Sequence, residues 1–110
     1  MHTINDSEGH FKELLLFPDY SSSGLWCVCG LGIGDPKNEL NIPYGLVDLV
    51  DLWNSYWESC DEFQVSNPNA DTRRYNEEQI MNTGRILAEM ISQHVPCEFI
   101  EERSRLYPYK

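Results

Sequence analysis

Three consecutive serines, Ser21 to Ser23, follow Phe17-Pro18-Asp19-Tyr20 and are the first residues of this chain with the chemistry of nucleophiles. A serine hydroxyl becomes one only when a base takes its proton. The three histidines are poorly placed for that: His2 and His10 lie in a polar start, and His94 falls at the expected end of a helix, where a cation is favoured by the helix dipole. The local pattern Ser-Ser-Ser-Gly-Leu-Trp also lacks the GxSxG turn that exposes a hydrolase serine. No catalytic residue is assigned.

The thiols and glycines are the next candidates. Cys27 and Cys29 are the closest pair, with Cys60 and Cys97 far apart in sequence, and no spacing such as two CxxC pairs suggests zinc. Without a recognisable secretion signal the four thiols are expected reduced and the chain cytoplasmic. Gly30, Gly32 and Gly34 invite comparison with a dinucleotide fingerprint, but that motif must open directly into a helix. Here Asp35-Pro36-Lys37-Asn38 intervenes, which predicts a flexible or bulged connection, with no metal and no cofactor.

Charge is the most informative property. The 110 residues carry 8 basic and 18 acidic side chains, a net −10, which repels nucleic acid and anionic membrane and attracts basic proteins. From Glu39 to Thr72 there are seven acids and no lysine or arginine. Like charges at helical i,i+3 and i,i+4 spacing, as in Asp48 with Asp51 and Glu58 with Glu62, each cost a few tenths of a kcal/mol. A solvated face is the ordinary explanation of such a run. Binding is the alternative that offsets the cost, with Asp48, Asp51, Ser55, Glu58, Asp61 and Glu62 as contacts and Tyr56 as an aromatic anchor. Tyr20, Tyr107 and Tyr109 are looser candidates.

These residues need a scaffold, and the chain is long enough for one core. Residues 1–10 read as a loosely held N-terminus, 11–102 as a single domain and 103–110 as a tail. Phe11 to Phe17 predicts a strand stopped by Pro18, and Leu25 to Cys29 a second, paired antiparallel with the first. Leu46, Leu49, Val50, Trp53, Trp57 and Cys60 recur at helical spacing after Pro43, with Asn41 as an acceptable cap. A loop is expected over 66–72, then a helix from Tyr75 to His94 striped by Ile80, Gly84, Leu87, Ile91 and Val95, with Arg85 and Glu89 spaced as an ion pair. Gly84 within that stripe suggests close approach to another backbone, or simple tolerance of a glycine there. Residues 97–102 alternate as a third strand. The expected class is α+β, order β-β-α-α-β, with two amphipathic helices on one face of a three-stranded sheet.

The stretch LLLFPDYSSSGLW, followed by Trp53-Asn54-Ser55-Tyr56-Trp57 and Gly84-Arg85, resembles a family of small bacterial proteins across residues 12 to 102. Small acidic chains of this type resemble the immunity proteins of polymorphic-toxin and contact-dependent growth inhibition systems. The resemblance implies a stoichiometric, non-enzymatic inhibitor of one cognate toxin domain, commonly a basic nuclease; separately, a monomer is the favoured expectation. A small enzyme built on the Asp19 to Ser23 loop, or a structural subunit whose acidity serves solubility, are the other expectations.

Overall fold

The computed structural model describes residues 13–28 and 30–101. Expectations that fall on Phe11, Cys29, the histidines of the N-terminus and the tyrosines of the tail lie outside the described residues. Three strands, β1 (Leu14–Leu16), β2 (Leu25–Cys27) and β3 (Cys97–Phe99), form one sheet in the order β2-β1-β3. β1 pairs antiparallel with β2, Leu14 opposite Cys27 and Leu16 opposite Leu25, and parallel with β3, Leu15 opposite Glu98. The α+β class and the order of its main elements are as expected, and the terminal strand takes its place beside β1.

Alternation along β1 and β2 sends side chains to both faces of the sheet. Leu14, Leu16, Leu25 and Cys27 join the main core with Val50, Trp53, Leu87 and Ile91 from the long helices. Leu15 and Trp26 turn the other way and form a smaller cluster with Ile100. Both faces of β1 are therefore dry. That explains why this run is continuously apolar instead of alternating.

Between the strands and the long helices lies a one-turn helix, α1 (Pro36–Glu39), where a flexible or bulged connection was expected. Pro36 supplies a fixed φ at the first helical position. The glycine segment before it folds back on β2: Cys27 donates to the Leu31 carbonyl, Ile33 donates to that of Leu25, both at 2.9 Å, and Trp26 bridges Gly32. This covers a sheet edge that would otherwise present unpaired backbone. Glu39, counted above with the acidic run, is buried.

Helix α2 (Tyr44–Ser66) is capped at Pro43 without a side-chain hydrogen bond, so Asn41 is not the cap. Its buried side is Leu46, Val47, Val50, Trp53 and Asn54, whereas Leu49, expected in the core, is exposed. Helix α3 (Ala70–Ile91) begins ahead of Tyr75 because Asn69 caps it, accepting from the Asp71 and Thr72 amides at 3.1 and 3.0 Å. The connection is thus shorter than 66–72, and the helix ends at Ile91, before His94. Arg85 hydrogen-bonds Asn82 at 2.9 Å and pairs with Glu101 across to the end of β3, instead of pairing with Glu89. Ile80, Gly84, Leu87 and Ile91 are buried as expected, joined by Ala88.

Candidate functional site

The Asp19–Ser23 loop is tied down by its backbone. Asn54 of α2, 2% exposed, accepts from the Asp19 amide at 2.9 Å and donates to the Asp19 and Ser22 carbonyls at 3.0 and 3.3 Å. One amide side chain thereby satisfies the turn from both directions, as buried backbone polar groups require. Ser22 Oγ donates to the Asp19 carbonyl and accepts from the Gly24 amide, each at 3.1 Å. Ser23 Oγ donates to the Ile33 carbonyl at 2.5 Å, joining this loop to the glycine segment. The hydroxyls of Ser22 and Ser23 are engaged in holding backbone. Ser21 accommodates the turn at φ 55° and Gly24 at φ 86°. A Cβ on Gly24 would also stand 3.0 Å from Val50 Cγ1, so this position combines a left-handed turn with close helix packing.

Tyr20 carries the loop's contact with the acids of α2. Its hydroxyl donates to Asp61 Oδ2 at 2.5 Å, and its ring meets Trp57 edge-on with centroids 5.0 Å apart. The bond to Asp61, with the negative charges of Asp61, Glu62 and Glu58 behind it, pushes the phenol up from 10 to about 12. Below pH 10 folded and unfolded chains both hold this proton; between about 10 and 12 the unfolded chain releases it first, so the group's contribution to stability is lost as pH rises through that window. Titration of phenolate absorbance should show one tyrosine with a midpoint near 12 that Asp61→Asn returns toward 10. An unmoved midpoint would remove Asp61 as the cause.

The predicted contact residues do not form one patch. Successive residues of an α-helix advance by about 100°, which sets Asp51, Ser55, Glu58 and Glu62 on the flank of α2 that faces the loops. Asp61 stands at its inner edge, bonded to Tyr20. Asp48 tops the same flank and forms a 2.7 Å ion pair with Lys37 of α1, whose ammonium that carboxylate holds above its ordinary pKa. Lys37 also lies 5.6 Å from the Tyr44 ring centre. Tyr56 belongs to the opposite flank, toward α3. Its hydrogen bond with Cys60 raises its phenol pKa, and the nearby Tyr75 hydroxyl of α3 adds to the shift.

Beside the acidic flank, the two loops and α2 enclose an open groove of about 670 Å3. Ser21, Ser23, Trp26, Asp35, Asp48 and Asp51 are among its lining residues, with Lys37 at the rim. The volume is that of a ligand or side-chain pocket, and its charge suits a cationic group. Sequence reasoning found the acids but missed the groove and Asn54. The available signal for Asn54 was its register: it falls four residues after Val50 and three before Trp57, inside the apolar stripe.

Elsewhere, burial pushes the Cys97 thiol up to about 12, with the charge of Glu98 adding, which keeps it protonated and a poor nucleophile at neutral pH. Among the described residues no three or more His, Cys, Asp or Glu side chains are grouped to hold a metal ion, and no helix is long and apolar enough to cross a membrane. Comparison with known proteins finds no matching family model, no matching curated protein and no matching solved structure.

Proposed function

We propose that this chain is an immunity protein: a cytoplasmic, non-enzymatic inhibitor that binds and neutralises a basic, nuclease-type toxin domain. The observation that carries the reading is the loop-facing flank of α2, where Asp51, Ser55 and Glu62 are exposed beside the half-buried Glu58. No basic residue lies between Glu39 and Thr72 to balance them. An acidic flank met by one lysine, Lys37 at Asp48, on a chain of net charge −10 raises the local concentration of a cationic partner and speeds its docking. The adjoining groove gives a partner's lysine or arginine a concave, acidic seat. Toxin inhibition fits these properties because a nuclease surface made to hold phosphates is itself basic.

The deciding experiment is co-expression with the product of the gene directly upstream. The expected result is a toxic product, growth rescued by this chain and a one-to-one complex; absence of both rescue and complex would end the reading. Within such a complex, Asp51→Lys with Glu58→Lys should slow association by about tenfold or more at roughly 0.01 M salt. The difference should shrink toward 1 M, as the screening length falls from about 30 to 3 Å. Equal association rates at low salt would exclude this flank as the steering surface while leaving the class standing.

A further inference from the structure

The acidic flank accounts for attraction but not for tight binding, because an interface needs an apolar centre inside its polar rim. The other flank of α2 supplies one. Leu49, Leu52 and Tyr56 are all exposed, Leu52 by 67%, and recur at spacings of three and four along the helix. They border the seam with α3, since Trp53 just inside them donates its indole N–H to the Ile80 carbonyl at 3.0 Å and Tyr56 lies near Tyr75. On α3 the matching outward positions are Ile86, 58% exposed, and Met90. The sheet covers the inner side of this helical hairpin, so the seam runs along its outer side.

Acids edge the strip on both margins. Asp48 and Glu62 follow the α2 side, and Glu78 and Glu89 follow the α3 side, all four exposed. A second copy of this chain would bring another net −10 to the same surface, and an anionic membrane would be repelled as well. The complementary shape is a helix with an apolar stripe flanked by lysine or arginine, laid along the groove between two helices.

We propose that the α2–α3 seam, centred on Leu52 and Ile86, docks a basic amphipathic helix of a partner protein. The proposal rests on the inhibitor reading for the nature of that partner and adds where its apolar anchor sits. Leucine fills the strip and lysine meets its margins, so the surface is testable without the toxin.

A synthetic helix of about 18 residues, or five turns, with leucines on one face and lysines on both edges, is titrated into the isotope-labelled protein. Amide shifts should concentrate on residues 49–56 and 86–90. The double variant Leu52→Glu, Ile86→Glu should weaken binding by about tenfold or more, the loss expected when buried aliphatic contacts are removed. Leu52→Ser, confirmed folded by circular dichroism, should weaken it in the same direction. Shifts confined to the groove near Asp35 and Asp51, or unchanged affinity in both variants, would overturn the seam. A concentration-dependent dimer abolished by Leu52→Glu would overturn it in favour of self-association. Tight binding of uncharged lipid vesicles at the same residues would overturn it in favour of a lipid surface. Peptide binding at the seam without growth rescue by the upstream gene product would uphold the docking site and reject the immunity reading. Rescue retained in both seam variants would do the reverse.

Discussion

Asn54→Ala should lower stability by on the order of 3 kcal/mol, because it removes three hydrogen bonds at roughly 1 kcal/mol each, although the Asp19 carbonyl keeps its bond from Ser22 Oγ. The groups concerned are the Asp19 amide and the Asp19 and Ser22 carbonyls. Thermal unfolding should fall by roughly 10 to 20 °C for a domain of this size. Asn54→Asp should be no milder. It keeps an acceptor for the Asp19 amide but replaces the donor that faced two carbonyls with a second oxygen. The loss should also reach the surface, because Tyr20 is held against Asp61 by the same turn. In a folded Asn54→Ala chain the Tyr20 phenol should therefore titrate nearer 10 than 12. A loss below about 1 kcal/mol, with the Tyr20 midpoint kept, would mean that water replaces the amide and that the loop holds its own shape.

Asn54 also shows where reading from sequence stops. The two long helices were legible from their hydrophobic period, and the strands from short apolar or alternating runs bounded by proline or glycine. A polar residue within such a stripe gives a period but no partner, and the partner here lies 35 residues earlier. Terminal details were hidden for a related reason. Residues 71 to 74 are all polar, so no stripe announces the first turn of α3, and Asn69 was read as loop although it is the cap. Helix α1, at four residues, is shorter than any periodic signal.

The candidate surface was half legible. The run of acids without lysine was plain, but charge along a sequence does not tell which flank of a helix meets a neighbour. Leu49 was assigned inward because it fits the three-and-four spacing. The shift of the core toward Val47 and Asn54 leaves it outside with Leu52 and Tyr56. That shift follows from the loop docked on α2: Asn54 must face it to satisfy its backbone, which rotates the apolar far side of the helix toward the solvent edge of α3. The same rotation separates Tyr56 from the acids with which it was first grouped, so the exposed acids and the exposed apolar residues fall on different flanks of one helix.

Gly84 provides the second large effect, and its sign opposes helix propensity. In an exposed helix, glycine to alanine gains about 1 kcal/mol. At this position a Cβ would overlap the Phe99 ring, lying 2.7 Å from its Cδ1, and would stand 2.9 Å from Trp53 Cζ2. Both rings are constrained. Trp53 is held by its bond to the Ile80 carbonyl, and Phe99 packs edge-on against it with centroids 6.1 Å apart. Overpacking a close-packed core costs typically about 1–3 kcal/mol, so Gly84→Ala should destabilise by up to about 2 kcal/mol net of the propensity gain. Phe99→Leu in the same chain should recover much of that loss, because its smaller side chain vacates the space at the sheet edge. The double-mutant cycle then isolates the coupling from whatever either change does alone. If Gly84→Ala proves stabilising, Phe99 swings aside at little cost, and the glycine is not what brings β3 close to α3.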